Sequence, residues 1–333
     1  MKFGISYFGN RMPWYVEKDL QMLKEAGFSI LVHTYSENDF KFYEKTMRRI
    51  ALSSKELGFE IWADPWGWGG VFGGEAFSGF LQNNMSEAQV GNDGELKGAV
   101  CFRSEKFKDY MKSWINSVKE SGFDAIFWDE PHFHIPNPIT DFPQNWTCRC
   151  ERCKSAFKDR YGYEMPIDYN QDISDFRNDT AVEFFSQMTE YSKQIGLKNV
   201  VCFLPLETDL FGIKDFESIA KLDSIDDVGT DPYWFAFGLP MKPFVEESAK
   251  KITEISHKFK KTAHMWLQGF RVPENRESEL SEGFRLMKEH RIDKVLFWGV
   301  YACEHISSIS PDNPEKTWST ILKIVKDEKN NEI

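Results

Sequence analysis

One period runs through the whole chain: a short β-branched or aromatic run, a polar loop, then apolar residues at helical spacing. Eight such runs are readable, at Phe3 to Tyr7, Ser29 to Thr34, Glu60 to Asp64, Ala125 to Asp129, Asn199 to Leu204, Asp227 to Asp231, Thr262 to Leu267 and Lys294 to Val300. The segments between them each keep one apolar face. Phe107, Tyr110, Met111, Trp114, Ile115 and Val118 share such a face, and so do Val245, Ala249, Ile252 and Phe259. Gly27, Gly58, Gly122 and Gly196 stand where a left-handed helix end is needed before the next strand. Eight strand-helix units in 333 residues predict an α/β protein with the (β/α)8 TIM-barrel fold. The expected organisation is one domain, 1–333, with long insertions after strands three and four at about 66–103 and 131–178. Both insertions follow strand C-terminal ends, the face on which barrels carry their active sites. The competing architecture is an open doubly wound sheet. It wants a Gly-rich dinucleotide loop after the first strand, where this chain reads Tyr7-Phe8-Gly9-Asn10.

Charge narrows the partners. Lys and Arg number 41 against 52 Asp and Glu, a net charge of −11, which argues against nucleic acid or an anionic membrane as a general partner. No run is apolar for the ~18 residues of a membrane span, and the opening MKFGISYFGN reads as a strand with no apolar leader region, so the expected location is cytoplasmic. Self-association into a homo-oligomer is left open. Aromatic residues make up 15% of the chain, more than a core of this size needs, and the surplus is available to line a binding surface.

That surplus collects at the strand ends. The strands deliver His33, then Asp64, Trp66 and Trp68, then Asp129, Glu130, His132 and His134, then Glu207, then Asp231, Tyr233 and Trp234, then Trp266 and Gln268, and finally Trp298. Indole faces stack on sugar C–H surfaces, acidic and amide groups bind hydroxyls, and paired carboxyl groups cleave glycosidic bonds. The expected partner is therefore a carbohydrate. Glu130 lies beside Trp128, Pro131 and Phe133, where desolvation raises a carboxyl pKa towards that of a general acid. Regular alternation puts Asp129 and Glu130 on opposite faces, so both reach one cleft only where the strand ends or bulges. His33 and His264 lie within strands, where core packing is the plainer role. His132 and His134 divide evenly between loop hydrogen bonding and substrate binding.

Cys148, Cys150 and Cys153 are too closely spaced for ordinary disulfides and suggest a metal. Structural zinc wants a fourth ligand. Cys101, in the other insertion, is the natural candidate, with Cys202 and Cys303 as alternatives. Such a Zn2+ would be structural, pinning two loops away from the substrate, and no organic cofactor is expected.

The run Cys148-x-Cys150-x2-Cys153-x3-Phe157-x3-Tyr161-Gly162, with Cys101-Phe-Arg-Ser104-Glu-Lys-Phe107 upstream, resembles glycoside hydrolase family 42, the β-galactosidase-like barrels of the large retaining clan. The similarity is confined to about 100–165, as in a distant glycosidase family that shares the loop. It implies a four-cysteine zinc site and Glu130 as acid/base. Two positions depart from the clan's pattern: Asp129 replaces an Asn, and Gln268 stands where the strand-seven nucleophile belongs. A neutral amide cannot form a glycosyl ester.

The leading expectation is a glycoside hydrolase with Glu130 as general acid/base and Asp231 or Asp129 as second carboxylate. Asp129 and Glu130 could instead serve as a substrate-assisted pair on a 2-acetamido sugar. Two other classes compete: a non-catalytic carbohydrate-binding barrel, favoured by Gln268, and a metal-dependent isomerase or lyase using Glu130, His132, Asp231 and His264.

Overall fold

The computed structural model describes residues 1–331. Ten strands lie in chain order: β1 (Lys2–Tyr7), β2 (Ile30–Thr34), β3 (Glu60–Asp64), β4 (Ala88–Val90), β5 (Leu96–Val100), β6 (Ala125–Asp129), β7 (Lys198–Phe203), β8 (Asp227–Thr230), β9 (Thr262–Gln268) and β10 (Lys294–Trp298). Eight of them close a parallel barrel in the order β1-β10-β9-β8-β7-β6-β3-β2, with helices between the strands, so the fold is a (β/α)8 barrel. The remaining two, β4 and β5, form an antiparallel hairpin between β3 and β6.

Local sequence explains the elements. Pro13 opens the first helix, Pro13–Ala26, where its missing N–H costs nothing, and Gly27 closes it at φ 108°. The helix Glu105–Glu120 starts at Ser104, whose hydroxyl accepts the Phe107 N–H at 3.0 Å. It buries Phe107, Met111, Trp114, Ile115 and Val118 against the barrel.

Strand alternation sorts the core into two parts. Ile61, Ile126, Val201, Val228, Leu267 and Phe297 face outwards and join the large cluster under the helices. Trp62, Phe127, Cys202, Trp266 and Leu296 belong to a second cluster that fills the barrel. Lower in the barrel, Asp227 meets both the His264 ring and the Lys294 ammonium. Gly229 makes room for that ring, because a Cβ there would stand 2.4 Å from it. His264 is thus held by an acid well below the strand tops.

The chain between β3 and β6 and the chain after β6 are sewn together beside the barrel mouth. The Asn92 N–H donates to the Trp146 carbonyl at 3.0 Å, the Arg149 N–H to the Val90 carbonyl at 2.7 Å, and the Thr147 hydroxyl to Gln89.

Candidate active site

The same alternation that puts Trp62, Phe127 and Gly229 inside the barrel puts Asp64, Asp129 and Asp231 inside two residues later, at the strand tops. Their exposures are 0, 8 and 2%. Glu130, the next residue after β6, takes a left-handed backbone at φ 41°. That breaks the alternation, and Glu130 turns to the same side as Asp129. Gly73, in the loop after β3, shows where they meet. A Cβ on it would stand 2.6 Å from Asp129 Oδ2 and 2.8 Å from Glu130 Oε2. The Gly73 N–H also donates to the Asp129 carbonyl at 3.0 Å, so this loop lies directly on the two acids.

The loop brings a residue that sequence reasoning missed. Glu75 follows the pair Gly73-Gly74, and Gly74 lies hard against the Trp66 indole. The available signal was a Gly-Gly-Glu run inside an insertion on the catalytic face, where small residues permit close backbone approach.

This crowding shifts the proton affinities of the side chains. Burial, with the charges of Glu75 and Glu130, holds the Asp64 carboxyl well above the ordinary range. Asp129 is raised by burial and by Asp64, Glu130 and Glu75; Asp231 is raised by burial and by Glu130 and Asp129. Glu75 is raised by burial too, with Glu130 adding to it and Arg271 opposing it. Glu130 thus acts on all four neighbours and is itself only half-buried. Tyr233 lies beside the same group, its hydroxyl pushed far up by burial and by Asp231.

An aromatic wall flanks the acids. Phe8 stacks between Trp66 and Trp298, at centroid distances of 5.7 and 5.1 Å, and Trp266 meets Trp298 edge-on at 5.6 Å. Tyr233 meets Phe270 edge-on at 5.0 Å.

Other residues singled out from the sequence lie elsewhere. His33 points outwards: its Nε2 is 3.0 Å from Ser54 Oγ on a neighbouring helix, and burial lowers its pKa to about 3. Trp68 packs on Tyr110 and Trp114 in the helical layer. Trp234 donates its indole N–H to Glu279 at 3.0 Å, outside the barrel. Glu207 accepts the Phe216 N–H and pairs with Lys251 at the surface. The His132 ring binds the Glu130 carbonyl through Nδ1 at 2.6 Å, bracing the turn that aims Glu130. His134 sits in the seam between the insertions, its N–H on Gln89 at 3.1 Å.

Gln268 is fully buried and committed to the backbone. Its Oε1 accepts the Phe235 N–H at 3.1 Å, and its Nε2 donates to the Phe270 carbonyl at 3.0 Å. A carboxylate could not make the second bond, so the amide suits this place as a bracket between two loops.

The sulfurs of Cys101, Cys148, Cys150 and Cys153 all lie within 4.8 Å of one another, and all four residues are buried. Cys101 Sγ is 3.6 Å from both Cys150 and Cys153. That is far beyond a disulfide and close to the ~3.8 Å expected between thiolates at ~2.3 Å around a tetrahedral ion. The group fits a metal ion. Cys202 is buried inside the barrel and Cys303 beyond β10, so neither belongs to it. Among the described residues, no carboxylate or histidine set of three converges this tightly.

No protein-family model matches the chain, and no curated protein matches it in sequence, so the family 42 resemblance stays at the level of the cysteine loop. Solved structures do match. The chain is similar to the catalytic domain of a β-amylase from Paenibacillus polymyxa, with TM-score 0.67, 12% identity and 98% of each chain covered. It is also similar to an endo-1,4-β-mannanase from Rhizomucor miehei, with TM-score 0.65, 10% identity, and 99% of this chain and 95% of that one covered. A D-psicose 3-epimerase crystallised with D-fructose matches at TM-score 0.52 and 11% identity over 99% of both chains. At such identities the shared property is the fold, a (β/α)8 barrel with its acids gathered at the strand tops in this chain.

Proposed function

We propose that this protein is a glycosidase, with Glu130 as general acid/base and Asp231 as the second carboxylate. The observation that carries the reading is the turn at Glu130, which sets two successive carboxylates against one point at the mouth of an aromatic-walled barrel. The structural neighbours include a β-amylase and a mannanase, and Trp66, the partly exposed member of its stack with Phe8 and Trp298, offers an indole face to a sugar ring.

Asp129 and Glu130 meet at one point, so they do not flank a sugar from opposite sides. Asp231 comes from two strands away across β7, near enough to Glu130 to be raised by it, and the two supply the paired carboxyl groups that glycosidic cleavage uses. Buried Asp231 holds a proton readily. Glu130, the more accessible member, passes it to the glycosidic oxygen as the C–O bond breaks. Positive charge then builds on the sugar ring, facing the carboxylates of the cluster. Water adds to the anomeric carbon, and its proton returns to the carboxylate pair.

The four cysteines are read as a structural zinc site. Zn2+ there would cross-link the insertions after β3 and β6, outside the cleft. Six unpaired thiols suit a reducing compartment, the cytoplasm.

Turnover of a panel of α- and β-aryl glycosides tests the reading. Glu130→Gln should cut kcat by about 10²–10⁴ while leaving the melting temperature near that of the wild type. Equal turnover in both proteins would overturn the assignment of Glu130. Sugar binding without turnover in either would favour the non-catalytic barrel, to which the bracketing role of Gln268 already lends weight.

A further inference from the structure

The acids of the cleft exceed what hydrolysis uses. Elsewhere in the molecule each buried acid is met by a donor: Asp39 by Arg11, Asp227 by His264 and Lys294, Glu277 by Lys316, and Glu328 by Lys288. Glu37 takes the N–H groups of Gly69 and Phe80 and the Ser78 hydroxyl. Asp64 is the contrast. It is wholly buried, and neither of its oxygens has a hydrogen-bond partner. One oxygen each of Asp231 and Glu277 is also unpartnered, but among the described residues only Asp64 has both oxygens buried without a partner. The charges acting on Asp64 and Asp129 are all negative, and Arg271 offsets Glu75 alone. A buried acid without a donor is costly, charged or neutral, so the missing donor is expected to come with a ligand.

Three kinds of ligand could supply it. A divalent cation needs three or more ligand atoms drawn together, and among the described residues only the four cysteines are so placed. A neutral sugar supplies hydroxyl donors but brings no cation to this group of acids, and an anionic sugar adds another like charge beside it. A sugar that carries its own cation fulfils both requirements.

We propose, building on the glycosidase reading, that the substrate is a glycoside of an amino sugar with a free ammonium group, and that Asp64 receives that ammonium. N-acetylation removes the charge and adds bulk, so the acetylated sugar is the poorer ligand. Asp64 is then a specificity residue, separate from the proton transfer at Glu130 and Asp231. A desolvated ion pair of this kind discriminates strongly against ligands that lack the charge.

The test compares nitrophenyl 2-amino-2-deoxy-glycosides with their 2-hydroxy and 2-acetamido counterparts, in wild type and Asp64→Asn. The amino compound should lead in kcat/KM by about tenfold or more, and Asp64→Asn should erase most of that ratio. Equal or faster hydrolysis of a neutral counterpart overturns the inference and leaves the glycosidase reading standing. Calorimetry with a glucosamine oligosaccharide and its fully N-acetylated form reads the same preference without turnover. Tighter binding of the free amine by wild type, lost in Asp64→Asn, supports the inference even if no glycoside is hydrolysed, in which case the glycosidase reading fails alone. Equal binding of the two oligosaccharides, or none, overturns it. Wild-type ratios decide the matter should the variant fail to fold.

Discussion

Asp64 illustrates how strand parity becomes chemistry. Two residues above Trp62 on β3, it must face inwards, and β6 and the end of β8 deliver Asp129 and Asp231 by the same rule. Crowded in this way, Asp64 binds a proton more readily in the folded protein than in the unfolded chain. Protonation therefore favours the fold. That contribution is fully present below the ordinary carboxylate range and is lost as pH rises through the raised folded value. At neutral pH the crowding of these buried acids therefore works against the fold, as functional sites often do. Asp64→Asn should melt a few degrees higher than wild type at neutral pH, roughly 1 kcal/mol in a chain of this size, with the difference vanishing in acid. Thermal melts across the pH range check this, and a variant that melts lower at neutral pH would contradict it.

At the scale of elements, the loop after β3 decides what the cleft contains. Glu37 anchors it. This buried carboxylate accepts from Gly69 at 2.8 Å and Ser78 at 2.7 Å, and from Phe80, so it clamps the loop at both ends while Gly73 and Glu75 reach over the site. Glu37→Ala leaves those donors unmet and should cost about 2–4 kcal/mol. Glycoside turnover should fall at least tenfold, and limited proteolysis should cut within 69–80 before the rest of the chain. Uncut loops and wild-type activity in the variant would rule out this anchoring role. At the end of β6, the left-handed turn at Glu130, braced by the His132 ring on its carbonyl, does the comparable work of aiming a second acid.

At the scale of the molecule, the chain between β3 and β6 and the chain after β6 are tied to each other. Main-chain hydrogen bonds at Asn92 and Arg149 join them, and the four cysteines offer a second clasp. Purified protein should carry one zinc per chain. Its removal, or Cys150→Ser, should lower the melting temperature by roughly 5 °C or more, about 2 kcal/mol, and leave the barrel's helical signal intact. Metal analysis with circular-dichroism melts reads both, and a metal-free protein with unchanged melting would refute a structural zinc.

The eight strands, their order in the chain and the acids at their tops were legible in sequence because period-2 and period-3.6 patterns are local. The cysteine group was legible too, since three of its members lie within six residues of one another. Parity also held information that a list of strand ends passes over: His33 follows the inward Val32 and so faces the helices. Trp68 and Trp234 were placed in the cleft by proximity to strand ends, yet each begins a short helical turn that carries it into the outer layer. Glu75 had no periodic context at all. Its place over Asp129 and Glu130 depends on a loop held by Glu37, some forty residues earlier in the chain. Gln268 needed the same kind of knowledge, because its two partners come from separate loops. Sequence by itself determined the barrel, its inward acids and the close trio of cysteines, each written in short-range spacing. Tertiary structure alone decided which acids meet and which stay unpartnered, because those contacts join residues that only chain closure brings together.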